Sequence, residues 1–247
     1  MTHQYQLPRT DYDGVIFDLD GVLTRTARTH AAAWKAMFDA FLEQQAPDQP
    51  AFDPRDDYDA YVDGKPRYDG VASFLEARGI ELPWGAPEDP PGRQTVCGLG
   101  NRKNQLFRQR LERDGVAVYE GSIDLVRALR EQGFKTAAVS SSKNCGPILE
   151  AAGIAGLFDT RVDGIDLERE AMAGKPAPDI FLAAARRLAI GPERAVVVED
   201  ALAGVEAGRA GGFGLVIGVD RHGRGAALSE HGADVIVEGL DGVAAVA

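Results

Sequence analysis

Two carboxylates one residue apart, Asp18 and Asp20, close the apolar run Val15-Ile16-Phe17 and are followed at once by Gly21. An apolar run that breaks into carboxylates and glycine reads as a buried strand with a site at its C-terminal end. Open α/β sheets place their ligands at that end. Carboxylates this close repel each other unless a cation or a shared proton compensates. The pattern points to a divalent metal, with one carboxylate free for chemistry. Asp-Gly is also an ordinary turn pair, and DxDG occurs in calcium loops, so the rest of the chain must decide.

Three further stretches each add a chemical part. Phe134 to Val139 reads as a strand that runs into Ser140-Ser141-Ser142-Lys143-Asn144, a source of hydroxyls and an amide. A helix N-terminus is expected just beyond, and free N–H groups there bind phosphate. Gly174-Lys175-Pro176-Ala177-Pro178 carries a cation in a stiff loop. The apolar strand Ala195 to Val198 ends in Glu199-Asp200. Together these make a phosphoryl-transfer site in which Asp18 attacks phosphorus. Asp18 itself, Asp200, helped by Glu199, and the backbone carbonyl of Asp20 would hold Mg²⁺, which prefers hard oxygen ligands. Ser140 and Lys175 would stabilise equatorial phosphate oxygens. Asp20 is placed to give or take a proton at the bridging oxygen. Ser142 and Asn144 equally suit capping of the following helix.

These residues need elements to position them. Ala31, Trp34, Phe38 and Phe41-Leu42 recur at helical spacing, with Trp34 and Phe38 as core, and a polar loop follows from Gln44 to Pro54. Val71 to Arg78 reads as a helix stopped by Gly79. Residues 83–93 are a Pro- and Gly-rich loop. Asn101 to Arg113 reads as a basic, polar helix ended by Gly115, with Arg102 and Lys103 on a solvated face or one of them at the substrate. From Val116 strands and helices alternate. Helices are expected around 123–132, 147–152, 178–188 and 201–210, and strands at 134–139, 195–198, 215–219 and 235–237. Such alternation implies a parallel sheet. The stretch from Ala27 to Gly115 shows no confident buried strand. The expected fold is α/β: a Rossmann-like parallel-sheet core formed by residues 1–26 and 116–247, with a helical cap domain, 27–115, inserted.

The composition narrows the function classes. The 247 residues carry a net charge of −11, which argues against nucleic acid as a partner but not against a small phosphorylated ligand. Cys97 and Cys145 form no metal-ligand spacing and no disulfide framework, which fits a reducing compartment, and Cys145 reads as structural. Residues 1–10 are polar, with no signal-peptide core, and no apolar run reaches the ~18 residues of a membrane span. The expectation is a soluble, cytoplasmic monomer with no membrane partner. His222 and His231 have no evident partner and no role.

The residues DLDGVLT (18–24), SSSKN (140–144), GKPAPDIF (174–181) and VEDALAGVEAG (198–208) resemble, in order, the four motifs of the haloacid dehalogenase superfamily of phosphotransferases. The resemblance is nearer to the β-phosphoglucomutases and covers almost the whole chain, with a longer cap loop here. Its marks are Thr26 and His30, Trp34-Lys35, Asn101-Arg102-Lys103-Asn104 and Ser142-Lys143-Asn144. The resemblance implies that Asp18 is phosphorylated, that Asp20 is the general acid/base, and that His30 serves beside them. It implies substrate contacts from Ser142, Lys143 and Asn144. Gly64, Lys65 and Arg67 fall where the family has a phosphate clamp, although Lys65 and Pro66 depart from its usual residues. The implied activity interconverts β-D-glucose 1-phosphate and glucose 6-phosphate through an aspartyl phosphate and a sugar bisphosphate. The alternatives are a Mg²⁺-dependent phosphatase of small sugar phosphates, or a non-enzymatic module. His30 and Arg67 also fit simple packing and a surface ion pair.

Overall fold

The computed structural model describes residues 5–221 and 223–246. His222 lies outside the described residues. The chain divides into two compact units, Met1–Arg25 with Val116–Ala247, and Thr26–Gly115. Each is taken by itself.

The first unit is built on a six-stranded sheet in which neighbouring strands pair in parallel. Its strands are β2 (Gly14–Asp18), β3 (Lys135–Val139), β4 (Thr160–Val162), β5 (Ala195–Glu199), β6 (Leu215–Val219) and β7 (Val235–Val237), in the order β4-β3-β2-β5-β6-β7. β1 (Tyr5–Pro8) and β8 (Val243–Val246) form a separate parallel pair. β2, β5 and β6 are buried at every residue, which explains why they read as unbroken apolar runs rather than alternating ones. The helices are α4 (Glu120–Glu131), α5 (Cys145–Ala151), α6 (Gly164–Arg169), α7 (Asp179–Leu188), α8 (Leu202–Ala210) and α9 (Gly225–Glu230). α7 packs on β2, β3 and β4. Its Ile180, Phe181, Ala184 and Leu188 join Ile16, Val139, Val162 and Val197 in one buried cluster.

The order of the strands decides the function. From β2 the chain adds β3 and β4 on one side, then crosses to add β5, β6 and β7 on the other. β2 therefore sits at the switch point, where parallel sheets open a crevice beyond the strand ends. Register completes the placement. Asp18 pairs with Val139, and Phe17 pairs with Val198, so the ends of β2, β3 and β5 lie level.

The second unit contains α1 (Ala27–Gln45), a π-turn at Tyr58–Val62, α2 (Arg67–Ala77) and α3 (Val96–Asp114), and no strand. Trp34 stacks on Phe38 at 5.4 Å, and Phe38 stacks on Phe52 and leans on Phe74. Val62, Val71, Leu75, Val96 and Leu99 close this core. Trp34 and Phe38 are core residues, as their spacing implies.

Several boundaries differ from the sequence reading. α1 runs through Gln45, past the expected loop start at Gln44. α3 begins at Val96, not Asn101. The Thr95 hydroxyl caps the helix by accepting from the Gly98 N–H at 2.9 Å. Gly98 and Gly100 are needed for close approach: a Cβ at Gly98 would lie 2.4 Å from the Arg93 carbonyl, and one at Gly100 2.7 Å from the Tyr68 ring. α5 starts at Cys145, ahead of Pro147. β1, β4, β8, α6 and α9 carry no clear sequence signal. They are three to six residues long, too short for periodicity to register. Among the described residues no helix is long and apolar enough to cross a membrane.

Candidate active site

β2 delivers Asp18 as its last residue, buried, and the chain then turns tightly. The Asp20 N–H donates to Asp18 Oδ2 at 2.9 Å. The Gly21 N–H donates to the Thr24 carbonyl at 2.8 Å, while the Leu23 and Thr24 N–H groups both reach the Leu19 carbonyl. Gly21 has φ +93°, and a Cβ there would lie 1.9 Å from Asp200 Oδ2. The turn therefore passes directly against the Asp200 carboxylate, a close approach only glycine permits. This is why glycine must follow the second aspartate.

β3 delivers Ser140, whose hydroxyl donates to Asp20 Oδ2 at 3.2 Å and accepts from the Ser142 N–H. The Ser142 hydroxyl in turn accepts from the Asn144 N–H at 3.1 Å. Ser142 thus braces the loop ahead of α5. The Asn144 side chain makes no cap bond. Lys143 is ion-paired with Glu168 at 2.8 Å.

β5 delivers Glu199 and Asp200. Glu199 is fully buried, and its Oε2 accepts from the N–H groups of Asp200 and Ala201, each at 2.8 Å. Its Oε1 accepts from Lys175, which also donates to Asp18 Oδ1 at 2.6 Å. The Lys175 side chain has no solvent exposure. Glu199 is therefore chiefly a brace: one oxygen fixes the turn after β5 and the other fixes the lysine.

One ammonium faces several carboxylates here. Burial raises the Asp18 carboxyl well above the usual carboxylate range, reinforced by the charges of Glu199 and Asp20 and opposed by Lys175. Burial opposes charge on Lys175, but Asp18 and Glu199 outweigh it and hold its ammonium above the usual lysine range. Ligand oxygens of Asp18, Glu199 and Asp200 lie within 4.8 Å of one another. The donors are all hard oxygens and carry excess negative charge, so the set fits a small divalent cation such as Mg²⁺.

Two arginines absent from the sequence expectations buttress this loop. Arg221 Nε donates to the Gly21 carbonyl at 3.0 Å, with its guanidinium 3.8 Å from the centre of the Tyr119 ring. Arg224 reaches the Asp200 carbonyl at 3.4 Å. Both follow β6 in a polar segment without pattern, so nothing in the sequence marks them. Burial raises the Cys145 thiol well above its usual range, as suits a structural cysteine. His231, expected to lack a partner, bonds the Ala227 carbonyl through Nδ1 at 2.8 Å and approaches Glu206 at 3.5 Å. Its partners come from its own helical turn and from α8, contacts that spacing does not show.

The other expected residues belong to the second unit. His30 is buried in α1, its ring 3.9 Å from that of Phe107 and its Nδ1 2.6 Å from Lys103 Nζ. Lys103 corrects the sequence reading: it is buried, with its ammonium over the Trp34 ring at 4.6 Å, while its neighbour Arg102 is exposed. A lysine stem packs on apolar surface while its head finds an acceptor, and periodicity does not predict that. Gly64 takes φ +71°. Lys65 donates to Ser73 Oγ at 2.9 Å. Arg67 opens α2, its guanidinium 4.9 Å from the Tyr68 ring centre.

Known proteins resemble this chain in sequence and in fold. β-Phosphoglucomutase of Mycobacterium bovis is 51% identical over 232 residues, covering 91% of this chain and 88% of the relative. β-Phosphoglucomutase of Bacillus subtilis is 33% identical over 223 residues, covering 90% and 88%. The crystal structure of β-phosphoglucomutase from Clostridium difficile superposes with a TM-score of 0.74 at 23% identity, covering 93% of this chain and 92% of that one, a likeness of fold. The family model described as haloacid dehalogenase-like hydrolase matches residues 12–212, from the first strand of the main sheet to the end of α8. With its carboxylates, lysine and serine gathered at the switch point of a parallel sheet, the chain belongs to the haloacid dehalogenase-like hydrolase family.

Proposed function

We propose that this enzyme is a sugar phosphomutase that interconverts β-D-glucose 1-phosphate and glucose 6-phosphate. The observation that carries the reading is the 51% identity, over both units, to proteins named β-phosphoglucomutase. Asp18 is the nucleophile. Its carboxylate oxygen forms a bond to phosphorus as the bond from phosphorus to the leaving oxygen breaks. Lys175 and the Asp20 N–H, which contact the two Asp18 oxygens, orient that carboxylate. Asp20 gives a proton to the leaving oxygen and recovers one from the sugar hydroxyl that next attacks the aspartyl phosphate. Ser140 donates its one O–H to the Asp20 carboxylate and steadies it, and turns that O–H to an oxygen of the transferring group when the phosphate is bound. The aspartyl phosphate gives its phosphoryl group to the 6-hydroxyl of β-glucose 1-phosphate, which makes the bisphosphate, and Asp18 then takes the phosphoryl group from the 1-oxygen, which releases glucose 6-phosphate and restores the phosphoenzyme.

Asp18, Asp200 and the Asp20 carbonyl would hold Mg²⁺, with Glu199 bracing the loop. When bound, the ion supplies positive charge against the phosphate oxygens. Residues 27–115 act as the cap, with His30 as a catalytic residue and with Arg67, Gly64 and Lys65 as a phosphate clamp. Ser142, Lys143 and Asn144 contribute to phosphate binding from the core.

The test is mass balance. β-Glucose 1-phosphate, Mg²⁺ and a trace of glucose 1,6-bisphosphate should yield glucose 6-phosphate in equal amount. Inorganic phosphate and free glucose in place of glucose 6-phosphate would make the enzyme a phosphatase and overturn the reading.

A further inference from the structure

Arg67 does not stand alone in its unit. Its Nη2 donates to the Tyr68 hydroxyl at 3.2 Å, and that hydroxyl donates to Asn101 Oδ1 at 2.9 Å. Asn101 directs both amide hydrogens to the loop before α3, donating to the Pro87 carbonyl at 2.9 Å and the Asp89 carbonyl at 2.8 Å. Each donor in this series meets one acceptor, so the direction of the chain is fixed and the Asn101 amide has one orientation.

The loop at the far end is itself anchored. The Asp89 carboxylate is buried and accepts from the Thr95 hydroxyl at 2.6 Å, the Ala86 N–H at 3.2 Å and Arg93 at 2.9 Å. Thr95 also caps α3, so loop and helix share one anchor. Gly100 makes room for the relay: a Cβ there would lie 2.7 Å from the Tyr68 ring and 3.3 Å from Arg67 Cγ. At the other end, the Arg67 Nε–H is buried and meets no hydrogen-bond acceptor among the described residues. A buried donor without an acceptor is destabilising and is satisfied when an oxyanion arrives.

We propose that Tyr68 and Asn101 are positioning residues for Arg67, and that the loop spanning 83–95 sets, through them, the aim of the Arg67 Nε–H at a substrate phosphate oxygen. The inference rests on the reading of Arg67 as a phosphate clamp. It makes the extended Pro-rich loop the rigid end of a relay that restrains a long, flexible side chain. Arginine loses much rotamer freedom when it binds, and a guanidinium held in advance by its neighbours loses less. The relay should therefore act on substrate affinity and leave the chemical step alone.

Tyr68→Phe is the clean perturbation, because it removes only the hydroxyl and leaves the ring against the guanidinium. Steady-state kinetics with β-glucose 1-phosphate and saturating bisphosphate are compared for wild type, Tyr68→Phe, Asn101→Ala, Arg67→Met and the double variant Arg67→Met/Tyr68→Phe. Thermal unfolding is followed alongside. Tyr68→Phe should raise KM about fivefold, the scale of one lost hydrogen bond, with kcat and melting temperature little changed. In the double variant the second substitution should add nothing, because the hydroxyl acts only through Arg67. Should Asn101→Ala lower the melting temperature, Tyr68→Phe still carries the test. An Arg67→Met enzyme with wild-type KM would overturn the clamp reading and the relay with it. A raised KM in Arg67→Met, together with an unchanged KM in Tyr68→Phe or full additivity in the double variant, would overturn the relay alone.

Discussion

Replacing Lys175 by methionine tests the electrostatic core of the site. Methionine nearly keeps the shape of the stem and removes the ammonium. In the folded protein that ammonium makes two charge-assisted hydrogen bonds, to Asp18 Oδ1 at 2.6 Å and to Glu199. All three side chains are at most 9% exposed. Without the lysine, two buried carboxylates face each other uncompensated. Breaking a buried pair by removing one partner destabilises by about 3–5 kcal/mol, and two bonds to charged groups at ~1.5–3 kcal/mol each give a similar figure. Urea unfolding in EDTA at pH 7 should show a loss in that range.

The pH dependence follows from Asp18. Its folded carboxyl already lies above its unfolded value, so the folded state binds more protons than the unfolded one. Stability therefore falls as pH rises from the unfolded carboxylate value, about 3.9, through the raised folded value. In the variant the opposing effect of Lys175 is gone, so the folded value rises further and the fall continues to higher pH. The deficit relative to wild type should shrink as pH falls from the variant's folded value toward that of the wild type. Adding Glu199→Gln removes one of the stranded charges and should recover part of the loss. A deficit below about 1 kcal/mol, the size of an exposed ion pair, with no recovery in the double variant, would refute the account.

Other outcomes follow from the same geometry. Asp18→Asn should abolish formation of a phosphoenzyme, seen by mass spectrometry as loss of the adduct of about 80 Da that one phosphoryl group adds, while circular dichroism stays that of the folded protein. Gly21→Ala should destabilise by roughly 1–3 kcal/mol from backbone strain and remove most turnover, since its Cβ would displace Asp200; near-normal activity would contradict the close approach. Mg²⁺ at a hundredfold excess over its Kd should raise the unfolding free energy by about 2.7 kcal/mol, and Asp200→Asn should lose most of that gain. An equal gain in the variant would place the ion elsewhere.

The parallel sheet and the candidate site were legible because the candidate residues sit at strand ends. Apolar runs that stop at Asp18, Ser140 and Glu199-Asp200 announce both the strand and the site, since a residue just beyond a buried strand leaves the apolar interior. The sequence could not show which carboxylate does what. Glu199 and Asp200 are neighbours in the chain, yet successive residues at a strand end point to opposite sides. Glu199 turns into the core to brace Lys175 and the next turn, while Asp200 meets the Gly21 turn. The second unit was less legible. α3 was expected from Asn101 but starts at Val96, because the Thr95 cap and the close contacts of Gly98 and Gly100 carry it further back. Lys103 looked solvated and is buried beside His30.

By itself, then, the sequence determined the parallel α/β core, the insertion of helices between its first and second main-sheet strands, and the set of groups available for phosphoryl transfer. These depend on local quantities: run length, period, and residue type at strand ends. Tertiary structure alone decided the pairing of those groups. Strand order brings Asp18 beside residues more than 120 positions away, and register sets them level. The same holds for the Arg67–Tyr68–Asn101 relay, where two helices and a loop meet. Contacts of that kind are made by packing, and packing leaves no period in a sequence.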